Sequence, residues 1–194
     1  KELNVDEMAK LRTRNAHLLL DLQSCDEGIC PTQFQKKQFP KEYQSKIKVL
    51  HDGVDTDFCT PDANSILKIK DKNIVLSSND EVVTYATRGM EAYRGFPEFM
   101  QAAEILLKRR PNLHIVVAGE DRVCYGAQLR NTSYKKMMLE KLNLDLNRIH
   151  FVGGLPFDEY VNLLRISSAH VYLTYPFVAS WSLLDAMSCE CPII

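Results

Sequence analysis

The sequence predicts an α/β protein whose larger part is a doubly wound, Rossmann-like parallel sheet, and three observations carry that expectation. The apolar runs at 114–118, 149–152 and 170–174 are nearly unbroken, as strands covered on both faces require. Segments of helical periodicity separate them, which gives each strand a crossover long enough to make its neighbour parallel. Small or ring-constrained residues follow the runs: Gly119, Gly153-Gly154 and Pro176.

Taken in chain order, residues 1–24 read as a helix, with Leu11, Leu18 and Leu22 near helical spacing and Asn4 and Asp6 as early capping chemistry. A short apolar step at 29–31 ends in proline, and Pro31-Thr32 opens a short helix, 33–38, stopped at Phe39-Pro40. The run 47–50 is a strand that meets the turn signal His51-Asp52-Gly53. Residues 52–65 are polar and read as a linker. Apolar runs at 66–69 and 74–76 flank Lys70-Asp71-Lys72-Asn73 and suggest a hairpin. From about residue 80 the texture changes. Val82-Val83-Thr84-Tyr85 is a β-branched run, and 98–109 has the apolar spacing of a helix with one broad buried face. Further helices are expected around 133–142, at 157–166 after Pro156, and at 181–187, and Pro192-Ile193-Ile194 begins another strand. The chain thus divides into 1–60, the tail of a preceding domain with an interdomain turn; 61–79, a linker or hairpin; and 80–194, the doubly wound domain. There is no internal repeat and no low-complexity segment.

Composition excludes several classes. Lys and Arg number 24 against 25 Asp and Glu, a net charge of −1, so a basic face for nucleic acid has no support. The longest apolar runs, 18–20 and 115–118, fall far short of the ~20 residues of a membrane span. Residues 1–14 are charged throughout and lack the apolar core of a secretory signal. The six cysteines, at 25, 30, 59, 124, 189 and 191, contain no Cys-x-x-Cys pair, which argues against zinc. They read as reduced, partly buried thiols of a cytoplasmic protein.

Ligands of an open parallel sheet sit outside the carboxyl ends of its strands, so the residues after each run are the candidates. After the first comes a loop with Arg88 and Arg94, feeding a helix start near Gly95 to Pro97. Two guanidinium forks and a helix amino end suit a diphosphate; two solvated surface arginines are the alternative. Gly119-Glu120 and Gly153-Gly154-Leu155 are loops of small residues that admit a ligand or merely turn. Ser180 is placed to cap the 181–187 helix and aim the amides of Trp181 and Ser182 at the sheet edge. Asp185 offers two oxygens to a sugar diol, or sits near a helix start for dipole reasons. Trp181 reads as a packing residue under the helix start, with an aromatic wall formed by Phe177 and Trp181 as the alternative. His114, His150 and His170 lie away from the ligand edge and read as structural, leaving His51 as the histidine to test.

In order and spacing, Arg88…Arg94-Gly95, Gly119-Glu120, Phe151-Val152-Gly153 and Pro176…Leu184-Asp185-Ala186-Met187…Pro192 resemble the donor domain of the GT-B glycosyltransferases. The likeness is greatest to the retaining family 4, the glycosyl transferases group 1 domain. His51-Asp52-Gly53-Val54-Asp55…Phe58…Pro61 is similar to that family's turn between its two domains. The resemblance covers residues 29–194 and implies the C-terminal half of a GT-B fold, truncated.

It further implies transfer of a hexose from a nucleotide-sugar such as a UDP- or GDP-sugar, with retention and without a metal or other cofactor. Arg88 and Arg94 would hold the donor diphosphate and stabilise the departing nucleotide, Asp185 would bind the ribose, Ser180 to Ser182 would meet the phosphate, and Gly153 to Leu155 would read the base. Two departures stand out. The first acid of the family's Glu-x7-Glu motif is Phe177 here, and the second is shortened to Asp185. Backbone groups near Val178 and Ala179 would then position the sugar, or donor binding is altered. A two-domain cleft needs more chain than this, so a fragment inactive alone is expected, with any acceptor (glycan, lipid or small molecule) and any peripheral membrane contact belonging to the absent half. A non-catalytic nucleotide-binding module is the competing reading. Phosphorylase chemistry would want a lysine for pyridoxal phosphate at the ligand edge, and none is suitably placed.

Overall fold

The first helix begins where its capping chemistry dictates. In the computed structural model, which describes residues 4–176 and 179–194, α1 spans Val5–Ser24. The Asn4 side chain accepts from the Glu7 N–H at 2.8 Å while Glu7 accepts from the Asn4 N–H at 3.0 Å, a complete capping box. At the other end Lys46 donates to the carbonyls of Leu22, Gln23 and Cys25 at 3.2, 3.3 and 2.8 Å, satisfying acceptors the helix leaves open. No residue of α1 is buried, so its leucine stripe stands at the surface. Two short parallel strands, β1 (Gly28–Cys30) and β2 (Ile47–Val49), follow, with helix α2 (Gln33–Lys36) and a 3-10 turn between them. These elements form one compact unit, ending at Asp52; the other comprises Gly53–Pro176 and Ser180–Ile194.

The second unit opens with the expected hairpin, β3 (Ile66–Ile69) against β4 (Ile74–Ser77), antiparallel in the register Ile69↔Ile74. Four strands then build a parallel sheet: β5 (Val82–Gly89), β6 (His114–Glu120), β7 (Ile149–Gly153) and β8 (Ala169–His170), in the order β7-β6-β5-β8. Helices α3 (Phe96–Arg109), α4 (Tyr134–Lys141), α5 (Phe157–Arg165) and α6 (Trp181–Ser188) connect and cover them. The unbroken apolar runs are explained by burial on both faces. On β6, Ile115 and Val117 pack with Tyr85, Phe99, Met100 and Leu107 on the α3 side. Val116 and Ala118, one residue out of step, pack with Leu163 and Ile166 of the α5 segment and with Leu67, Ile69 and Leu76 of the hairpin.

One expectation needs correction. The run 170–174 is not a full strand: only Ala169 and His170 pair with β5. Val171 still donates to Thr84 and Tyr172 to Ile194, each at 2.8 Å, but beyond them the chain turns toward the loop after β5. Residues 192–194 do extend the sheet, through a parallel bridge between His170 and Ile193.

The three strand histidines are structural, as read. His150 is 1% exposed and stacks on His114, with Nδ1 of His114 3.0 Å from its Nε2. His170 is fully buried, its Nδ1 2.8 Å from the Thr84 hydroxyl. Burial pushes both His150 and His170 down to about 4. Between that value and the ordinary value near 6.5, the unfolded chain binds more protons than the folded one, so stability falls as pH drops through this window. The slope is at most about 1.4 kcal/mol per pH unit for each histidine. Thermal melts from pH 7 to 4 should show this acid limb, and either His150→Gln or His170→Gln should flatten it. A limb of unchanged slope in both variants would count against this account.

Candidate functional site

The chain runs from β5 to β6 on one side and from β8 to the bridge at Ile193 on the other, so the connections out of these two neighbouring strands diverge and open a crevice at their carboxyl ends. The loop after β5 and the segment after β8 meet there. Tyr175 donates its N–H to the Tyr93 carbonyl at 3.0 Å. Arg94, only 9% exposed, donates from Nη1 to the Thr174 hydroxyl at 3.1 Å, and its guanidinium carbon lies 4.9 Å from the centre of the Tyr125 ring. The Arg94 carbonyl accepts from the Tyr85 hydroxyl at 3.0 Å, so both ends of this arginine are fixed by the sheet and its loops. Gly95, at φ +71°, lets the chain pass this point: a Cβ there would lie 2.4 Å from Leu173 Cβ. Arg88 is exposed and, with Arg122, Val123, Cys124 and Tyr125, lines a pocket of about 280 Å³.

The ends of β6 and β7 continue the same rim. Gly119 stands at φ +127°, and a Cβ there would fall 1.8 Å from the Thr87 carbonyl oxygen. The close approach that the glycine permits is therefore by the chain's own backbone, at the register break between Ala86 and Gly89. Glu120 is exposed, pairs in register with Gly89, and reaches to 3.1 Å from the Cβ position of Gly154. Gly153, at φ +69°, faces open space. Leu155 instead packs against the apolar cluster around Val116 and Leu163.

The late helix differs in detail from the expectation. Ser180 occupies the N-cap position in extended conformation, but its hydroxyl lies 2.8 Å from that of Ser182 and does not cap the helix. Trp181 is 65% exposed, so it does not lie buried under the helix start as expected. Asp185 is 8% exposed: one oxygen accepts from the Tyr160 hydroxyl at 3.4 Å and the other from the Cys59 thiol at 3.9 Å. Burial raises its pKa, against the opposing pull of those two donors. Phe177 and Val178 lie outside the described residues.

The structure thus brings Arg94 against Thr174 and Tyr125, and Arg88 beside Arg122. Among the described residues, the side-chain hydrogen bonds of Asp185 run to Tyr160 and Cys59, not to either arginine. Glu91, Arg122, Tyr125 and Thr174 were not singled out in the sequence. Following the chain two residues past the Gly119-Glu120 turn would have reached Arg122. Nothing in the sequence marks Glu91, a single acid between arginines, as buried. Among the described residues no group of three or more His, Cys, Asp or Glu side chains is arranged to hold a metal ion.

Comparison with known proteins adds the family. Residues 1–59 match the glycosyl transferase family 4 group, and residues 68–194 match the glycosyl transferases group 1 family. No curated protein sequence matches the chain. Among solved structures, the C-terminal domain of the glycosyl transferase group 1 family protein LpcC from Francisella tularensis is 26% identical, with a TM-score of 0.56 over 73% of this chain and 69% of that one. Sucrose-phosphate synthase from Thermosynechococcus elongatus shares the fold at 17% identity and a TM-score of 0.68, covering 94% of this chain and 43% of its own. TarM from S. aureus, in complex with fondaparinux, α-GlcNAc-glycerol and UDP, does so at 16% identity and a TM-score of 0.65, covering 93% and 32%. The chain therefore spans less than half the length of the latter two proteins. With a doubly wound sheet like that of the C-terminal domains of GT-B glycosyltransferases and a family match across residues 68–194, the chain belongs to the glycosyl transferases group 1 family.

Proposed function

We propose that this chain binds the donor in a retaining glycosyltransferase that transfers a hexose from a nucleotide-sugar. The observation that carries the reading is the pair Arg88 and Arg94 at the sheet's switch point, with Arg94 held against the segment after β8 by Thr174. Positive charge aimed at that rim matches a reaction in which charge develops on a departing diphosphate. In this reading the bond between the anomeric carbon and the diphosphate oxygen breaks, and Arg88 and Arg94 stabilise the leaving group. The acceptor hydroxyl attacks from the same face, and its proton passes to the departing phosphate. Each Asp185 oxygen keeps a lone pair beyond those used by Tyr160 and Cys59, and these suit a ribose diol. Gly153, with open space before it, suits an approaching base. The TarM structure was obtained with UDP, which favours UDP as the first nucleotide to try. The reading carries with it a cytoplasmic protein engaged in glycan synthesis, its acceptor a glycan, lipid or small molecule.

Thermal melting with UDP, GDP and ADP tests the donor half of the proposal. A diphosphate present at ~100 times its Kd adds about 2.7 kcal/mol, which corresponds to a rise of roughly 5–10 °C. If all three leave the melting temperature where it was, the reading fails. Release of nucleoside diphosphate from the donor by the full-length protein, dependent on acceptor, separates a transferase from a binding module.

A further inference from the structure

Glu91 is fully buried, and its carboxylate is given over to one loop. Both oxygens accept from the Tyr125 N–H, at 3.2 and 3.0 Å, and Oε2 also accepts from the Gly126 N–H at 2.8 Å. A buried carboxylate must be satisfied, and here two consecutive amides of an irregular loop do it. The same loop is pressed on Gly89, where a Cβ would lie 2.6 Å from the Arg122 carbonyl oxygen and 2.8 Å from Cys124 Sγ. The backbone of 122–126 is therefore pinned on its inner side at two points. On its outer side, Arg122 and Tyr125 line the pocket of about 280 Å³ together with Arg88. Among the described residues, neither Arg88 nor Arg122 has an ion pair or a side-chain hydrogen bond. Two uncompensated guanidinium groups sharing one pocket repel each other unless an anion lies between them, and their forked donors fit phosphoryl oxygens.

We propose that Arg122 is a further anion-binding residue of this rim, sharing the donor's diphosphate with Arg88, and that Glu91 is the positioning residue that holds it there. The proposal rests on the donor-diphosphate reading above and adds to it a third arginine and the acid behind it. Glu91 lies behind the loop and acts through it.

The sign of the Glu91 effect distinguishes position from charge. Removing a negative charge near an anion site strengthens anion binding if only charge matters. Glu91→Gln instead replaces one acceptor with an amide NH2 that faces backbone donors, so the loop moves and binding weakens. Calorimetric titration of the 194-residue chain with inorganic pyrophosphate, at low and moderate salt, reads this out. Arg122→Gln should weaken binding about tenfold and reduce its salt dependence, and Arg122→Lys should recover part of the loss at low salt. Glu91→Gln should weaken binding several-fold in the wild-type background and have no effect in Arg122→Gln, the signature of two residues acting as one. Arg122→Gln within twofold of wild type, or Glu91→Gln strengthening binding equally in both backgrounds, would overturn the proposal. If Glu91→Gln does not fold, the Arg122 pair decides alone, since that residue is exposed. No pyrophosphate binding by wild type sinks the donor reading itself; binding that depends on Arg88 but not on Arg122 sinks only this inference.

Discussion

Arg94→Met is expected to lower affinity for a nucleoside diphosphate by ten- to a hundredfold while costing the fold little. A charge-assisted hydrogen bond to an anion is worth about 1.5–3 kcal/mol, which sets that range. Methionine gives up the guanidinium that lies over Tyr125 but fills much of the same space with an apolar chain, and it removes a charge that is expensive to hold at 9% exposure, so stability should change by no more than about 1 kcal/mol. Arg94→Ala, by contrast, empties the space beneath Tyr125 and should cost about 2–4 kcal/mol as well as the binding. Titration with UDP, run beside urea unfolding for both variants, separates the two effects. Arg94→Met with wild-type affinity would show that the arginine only braces Thr174.

The largest effect on stability should come from Gly119→Ala. The added Cβ would stand 1.8 Å from the Thr87 carbonyl oxygen, a backbone atom at the register break and flanked by the Ala86↔Ala118 and Gly89↔Glu120 pairings. Relief requires parting the exits of the two central strands, and a cost of about 4 kcal/mol or more is expected, a large share of a domain's whole stability. Gly153→Ala is the control. Its φ of +69° falls in the left-handed region that other residues occasionally adopt, unlike the +127° of Gly119, and no atom lies within 4 Å of the new Cβ, so only a conformational term of roughly 1–2 kcal/mol applies. Urea midpoints of the two variants should differ accordingly; equal costs would mean that the contact at Thr87 relaxes freely.

Much of this was legible beforehand because local chemistry and tertiary need agree. The β6 run 114–118 reads as a strand covered on both faces, and its residues alternate between the α3 cluster and the hairpin cluster. Asn4 caps α1 as expected, but its partner in the capping box is Glu7 and not Asp6. Strand β8 misled because Val171 to Thr174 have strand-like side chains, whereas their course is set by a partner about 80 residues away, the Arg94 loop. Arg88 and Arg94 stood out because strand ends in a parallel sheet are where ligands bind. Glu91 did not, because an acid that answers two backbone amides leaves no pattern in side-chain spacing. Trp181 departs from its expected burial for a different reason: size and apolarity argue for burial, yet at the first position of α6 it is 65% exposed.

The contacts that build the crevice join the loop at 93–95 to Leu173, Thr174 and Tyr175, across a separation of 80 residues for Arg94 and Thr174. No stretch of the chain short enough to fold early contains both halves. The crevice therefore exists only once a loop of about 80 residues has closed, a step whose entropic cost opposes its formation.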